Sequence, residues 1–173
     1  MSLRGEAFAQ NIHPKTWESD FRTPKYLLSW IGDTWGSITH DGACAADNAT
    51  AKMFDLFGGE NLMSGDVLFV NPPWETKEVM RFVEASSEQV RNGATVIFLL
   101  PNKLCEVSWV KYVNIWVEYI FMLGGRVDFS GPHSVKKGAS RWGSIVAQIR
   151  PSPDHHSTTE WVTLRELKES YND

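Results

Sequence analysis

The stretch Asn71-Pro72-Pro73-Trp74 is the part of this sequence best suited to chemistry. Each proline holds its φ at about −65° and removes a backbone donor. The residue before a proline is pushed into extended geometry. The resulting corner is stiff, and it turns the Asn71 side chain and nearby carbonyls toward one point, with the flat ring of Trp74 beside them. That arrangement suits a planar amine. An amino nitrogen conjugated to a base ring is a weak nucleophile, because its lone pair is delocalised. Two oxygens accepting its hydrogens favour a pyramidal nitrogen, localise the pair and meet the positive charge that develops on alkylation. The Asn71 side-chain oxygen and the Pro72 carbonyl are the two candidates. Stacking on Trp74 would hold the ring, contributing roughly 1–3 kcal/mol per base. Such a transfer requires no general base, and the tetrapeptide contains none.

A corner of this kind needs a rigid mount. Val67-Leu68-Phe69-Val70 runs directly into it, an unbroken apolar run of the kind found in strands buried on both faces. Ala94 to Leu100 is a second such run, ended by Pro101. Further strands are expected at Ser37 to His40, Tyr119 to Leu123, Gly125 to Phe129 and Gly143 to Ile149. Helical spacing occurs in Lys25 to Trp35 after Thr23-Pro24, and in Thr76 to Arg91, with Val79, Phe82, Val83 and Val90 on one stripe. Asp47 to Phe57 reads as a helix capped by Asp47 and stopped by Gly58-Gly59. Glu106 to Val117 reads as another. Thr163 to Tyr171 carries a capping box, with Thr163 as cap and Glu166 three positions on. Residues 151–159 read as a polar loop. Strands alternating with helices predict an α/β fold, a mixed and mainly parallel sheet with helices on both faces. Ligands then bind at the carboxyl ends of the strands, which singles out Asp41, Asn71 and Pro101.

Composition narrows the function classes. The chain has 173 residues, a length that suits one domain. Its net charge of −4 argues against wrapping nucleic acid over the whole surface, so any such contact is confined to one face. There is no apolar run of membrane-spanning length and no basic-then-apolar leader, which predicts a cytoplasmic protein. The two cysteines, Cys44 and Cys105, have no metal-type spacing and read as buried free thiols. His155-His156 are adjacent in a polar loop, poor geometry for chelation, and no metal site is expected. Among the eight tryptophans, Trp30, Trp35, Trp116 and Trp161 are expected to fill the core.

The order of landmarks resembles the phage-type Dam family of DNA N6-adenine methyltransferases. Asp20-Phe21-Arg22-Thr23-Pro24 is similar to that family's opening segment. Thr39-His40-Asp41-Gly42-Ala43-Cys44-Ala45-Ala46-Asp47-Asn48-Ala49 is similar to its donor stretch, with His40 where the family has leucine. Gly65 to Trp74 matches its strand and catalytic turn, with Trp74 in place of the usual tyrosine. Leu99-Leu100-Pro101, Trp109 and Gly125-Arg126-Val127-x-Phe129 resemble its later landmarks. The resemblance implies a Rossmann-like methyltransferase fold over residues 20–173, preceded by a flexible arm at 1–19, with S-adenosylmethionine (S-adenosyl-L-methionine) as donor. It implies that Thr23 and Pro24 approach the methionine part of the donor. Asp41 and Ala43 line its pocket, together with Asn71. Asn71, Pro72, Pro73 and Trp74 form the transfer site. For the donor ribose, Asp47 and Asp55 are both candidates.

The expected partner is double-stranded DNA, with the target adenine flipped out to reach Trp74. Lys136, Lys137 and Arg141, in a basic glycine-containing loop, and Arg126 are candidate contacts to it. Trp142 could stack on a base or wedge into the duplex. With little room for a separate recognition domain, the loop at 130–142 or a second protomer must read the sequence. A homodimer would match a palindromic site. Two other readings stay open. One is transfer to another planar amine, such as RNA adenine, cytosine N4 or protein glutamine. The other is a catalytically inactive nucleic-acid-binding homologue. The 29 residues between Asp41 and Asn71 leave little room for two further strands.

Overall fold

A computed structural model describes residues 22–44, 48–130, 138–139, 142–151 and 157–171. In chain order the elements are α1 (Lys25–Trp35), β1 (His40–Asp41), β2 (Lys52–Met53), β3 (Val67–Val70), α2 (Thr76–Arg91), β4 (Thr95–Pro101), α3 (Val107–Tyr112), a 3-10 turn (Asn114–Trp116), β5 (Val117–Gly124), β6 (Asp128–Phe129), β7 (Gly138–Ala139), β8 (Ser144–Ile149), β9 (Thr158–Thr163) and α4 (Leu164–Tyr171). Seven strands form one sheet in the order β2-β1-β3-β4-β8-β5-β9, and β6 pairs with β7 in a separate ribbon. Only β8 runs against its neighbours, β4 and β5. The other pairings in the large sheet are parallel. The expected α/β architecture, mixed but mainly parallel, is therefore present.

The unbroken apolar runs have a direct cause. Leu68, Val70, Val96, Phe98 and Leu100 point to one face of the sheet, where Val79, Phe82 and Val83 of α2 and Trp109 of α3 cover them. Val67, Phe69, Ile97 and Leu99 point to the other, under Leu27, Trp30 and Ile31 of α1 and Leu164 and Leu167 of α4. Both faces are dry, so neither can alternate with polar residues. Fully burying a side chain of this size contributes about 1.5–3 kcal/mol, and this double layer fixes the strand that carries the corner.

Several expectations need correction. No helix spans 48–57. That segment holds β2, which pairs parallel with β1, followed by turns, while Asp47 itself lies outside the described residues. The local signals for a helix lose to a tertiary one, the Asp41 carboxylate, which takes hydrogen bonds from Thr50. Only residues 42–51 connect β1 to β2, and β2 is the one added strand among the described residues between β1 and β3. The strand expected at 37–40 is displaced to His40–Asp41. The helix expected over 106–117 breaks into α3 and a 3-10 turn. The strand expected at 125–129 shrinks to β6. The loop expected at 151–159 ends in β9, a polar edge strand whose side chains are largely exposed. Trp161 stands on it 73% exposed, so it fills no core. Cys105 is exposed and Cys44 half-buried, not both buried. The arm at 1–19 lies outside the described residues.

Candidate active site

β1, β3, β4, β5 and β9 share one direction, so the residues that follow them line one edge of the sheet. Asn71 follows β3 there. Pro72 is buried, and Asn71, Pro73 and Trp74 are half-buried. Two hydrogen bonds orient the Asn71 amide. Trp74 Nε1–H donates to Asn71 Oδ1 at 3.2 Å, and Asn71 Nδ2 donates to Thr23 Oγ1 at 3.3 Å. An indole N–H can only donate, so the atom facing it must be the amide oxygen. The tryptophan that replaces the family's tyrosine thus defines which end of Asn71 is the acceptor. Trp74 also packs edge-on against Phe129 of β6, with ring centroids 5.3 Å apart and planes at 83°. Its ring is wedged, not a loose platform.

The N-terminal approach is tied to the same place. Arg22 and Ser130 bridge their backbones, Ser130 N donating to Arg22 O at 3.3 Å. Thr23 follows directly and reaches the corner, where its Oγ1 accepts from Asn71 Nδ2. Pro24 opens α1 in extended geometry (φ −61°, ψ 144°), and its carbonyl accepts from Leu27 and Leu28 N–H.

The neighbouring loop after β1 is organised by Asp41. Its buried carboxylate accepts from Ala43 N at 3.2 Å, Thr50 N at 3.0 Å and Thr50 Oγ1 at 2.8 Å. The carboxylate thus closes the loop. Gly42 N–H donates to Phe69 O. A Cβ at Gly42 would come within 3.1 Å of Leu68 Cδ1, so glycine lets the loop leave the sheet closely over β3. The Cys44 thiol donates to Asp41 O, and burial, with the Asp41 charge beside it, pushes its pKa up to about 12. His40 Nδ1 lies 2.9 Å from Thr39 Oγ1 and 3.8 Å from Asp66 Oδ1. It serves the joint between β1 and the turn before β3.

Of the two ribose candidates, Asp47 lies outside the described residues and Asp55 lies within them. Asp55 lies two residues past the end of β2, beside the Asp41 loop, where Phe54 N–H donates to Asp41 O. Its Oδ1 accepts from Phe57 N at 3.1 Å. A Cβ at Gly58 would collide with its Oδ2, at 2.4 Å.

The candidate nucleic-acid contacts divide. Arg126 is exposed near the end of β5, away from the corner. Lys136, Lys137 and Arg141 lie outside the described residues, while Gly138 pairs opposite Phe129, the residue that touches Trp74. Trp142 is 47% exposed just before β8, with Lys103 Nζ 5.5 Å from its ring centroid. Sequence reasoning missed Thr50, whose link to Asp41 spans a loop without any spacing signal. It also missed the Asp128–Lys168 ion pair at 2.9 Å, which joins residues forty positions apart and fastens β6 to α4. Phe129 was visible as a landmark, though not as the support of Trp74.

A doubly covered sheet with one reversed strand, carrying an Asn-Pro-Pro-aromatic corner on its carboxyl edge, has the architecture of a Rossmann-like methyltransferase. A model of the family DNA N-6-adenine-methyltransferase (Dam) matches residues 11–172, nearly the whole chain. The chain belongs to this family and is an adenine-specific DNA methyltransferase. No individual curated protein matches it. Among the described residues no helix is long and apolar enough to cross a membrane.

Proposed function

We propose that the chain transfers a methyl group from S-adenosylmethionine to adenine N6 at the Asn71 corner. The observation that carries this is the pair of hydrogen bonds fixing Asn71 with its oxygen as acceptor. S-adenosylmethionine supplies an electrophilic methyl on a sulfonium sulfur. The residues fit it by chemistry. Gly42 keeps the loop after β1 tight against the sheet. Asp55 provides a carboxylate past β2 suited to ribose hydroxyls. Thr23, Pro24 and Ala43 complete the walls.

The amine is held by Asn71 Oδ1 and the Pro72 carbonyl. An amide oxygen can accept two hydrogen bonds, so Trp74 Nε1–H and one amine hydrogen can share it. As the N6 lone pair forms the bond to the methyl carbon, the carbon–sulfur bond breaks and sulfur keeps its pair. Both oxygens then face a nitrogen that carries positive charge until it loses a proton to water. Trp74, braced by Phe129, holds the flipped adenine.

The β6–β7 ribbon favours sequence readout by the loop at 130–142, because its base adjoins Phe129. Lys136, Lys137 and Arg141 would meet phosphates there. A dimer on a palindromic site and a separate arm at 1–19 belong to the same proposal. A labelled-donor assay with duplex DNA, digested to nucleosides, tests it: N6-methyladenine is expected, and label in cytosine or none at all rejects it.

A further inference from the structure

We infer that a cleft between the end of β5 and α4 binds a backbone phosphate of the DNA substrate, held by Arg126 and Arg165. The inference rests on duplex DNA being the substrate. The cleft has a volume of about 520 Å³ and is lined by Gly124, Arg126, Arg165, Lys168 and Glu169, among others. It lies on the carboxyl edge, since β8 is antiparallel to both β4 and β5, so β5 and its parallel neighbour β9 run in the same direction as β4. Two strands, β4 and β8, separate β5 from β3, so the cleft is three strand spacings from the Asn71 corner. That is roughly 14 Å, about four base-pair rises along a duplex.

Its charge balance points to an anion. Lys168 is neutralised by Asp128 at 2.9 Å. Arg165 meets Glu169 only at 3.9 Å, with side chains 83% and 71% exposed, and such pairs are weak. Arg126 has no ion pair among the described residues. Two guanidinium groups, which match phosphate oxygens in bidentate geometry, thus face one carboxylate. This local excess sits on a chain whose net charge is −4. Gly125 adopts φ +125°, and a Cβ there would meet Leu164 Cδ1 at 3.3 Å, so glycine keeps this wall free of side chain. Among the described residues no aromatic ring lines the cleft, which suits a backbone phosphate and gives a free base nothing to stack on. The Asp128–Lys168 pair joins the cleft to β6, and so to Phe129 and Trp74.

The test compares the wild type, the double variant Arg126→Ala/Arg165→Ala and Glu169→Gln by fluorescence anisotropy on a labelled duplex. Each phosphate contact adds about 0.9 to the log–log dependence of affinity on salt. The double variant is expected to flatten that slope by about one such step between about 50 and 200 mM salt. Glu169→Gln, which removes the competing carboxylate, is expected to tighten binding severalfold. Both arginines are exposed, so melting curves should match; if the double variant melts early, Arg126→Ala alone carries the comparison. A wild-type slope in the arginine variant overturns the inference, whatever Glu169→Gln does. If the wild type methylates duplex adenine and the slope is unmoved, only the phosphate site falls. If the wild type neither binds nor methylates duplex DNA, the substrate reading falls with it.

Discussion

Two neighbouring segments on the sheet's carboxyl edge are built on opposite principles. The corner after β3 is held by covalent stiffness: two prolines on a strand buried on both sides. The loop after β1 is held by one side chain, the Asp41 carboxylate, with three donors gathered on it. In the proposed transfer the first presents an acceptor in a fixed direction as charge develops, and rigidity serves that. In the same proposal the second shapes a pocket wall, and a network of hydrogen bonds around one acid suffices. The first should therefore fail in the transfer step when altered, and the second in stability and donor binding.

Removing the acceptor at the corner has the largest expected effect. Asn71→Ala should lower kcat by a factor on the order of 10²–10³, the range for losing one group that stabilises developing charge, while donor binding by calorimetry stays close to wild type. Asp41→Ala should break the other segment. Stranding backbone and hydroxyl donors costs about 1–3 kcal/mol, so Tm should fall by roughly 2–10 °C and donor affinity should drop. A variant with unchanged melting and full donor binding would show that Asp41 does not organise the loop.

Trp74→Phe sharpens the contrast within the corner. It keeps a ring for stacking but loses the N–H that orients Asn71. A neutral hydrogen bond contributes about 1 kcal/mol, so kcat should fall several-fold with little change in KM for DNA. A change confined to KM would mean that Trp74 only stacks. The smallest effect is chemical labelling. Cys105 is exposed, whereas the Cys44 thiol, pushed up to about 12 by burial, is protonated at any mild pH. Since the thiolate is the nucleophile, iodoacetamide at mild pH should modify Cys105 and spare Cys44. Equal labelling would mean that the Asp41 loop opens in solution.

The same contrast decides how much the sequence revealed. β3, α1 and α2 were legible because burial writes itself into residue type and period: Val67 to Val70 has no polar break, and Val79, Phe82 and Val83 repeat at helical spacing. The stiff corner after β3 was legible because proline acts locally. The Asp41 loop was misread as a helix from Asp47, because its hydrogen bonds to Thr50 are long-range and carry no periodicity. β9 was missed because a polar edge strand, Thr158 to Val162 with Trp161 exposed, looks like a loop. The family itself was visible from the order of its motifs, and its model spans the chain.

The central claim is that Asn71, held by Trp74 and Thr23, accepts the amine during transfer. The most direct measurement is single-turnover methylation of a duplex by wild type and Asn71→Ala at saturating labelled donor, with parallel donor calorimetry. N6-methyladenine from the wild type, and a rate lower by at least about a hundredfold in the variant with donor affinity retained, is the predicted result. A variant that transfers at the wild-type rate, or that loses donor binding as completely as transfer, would contradict it.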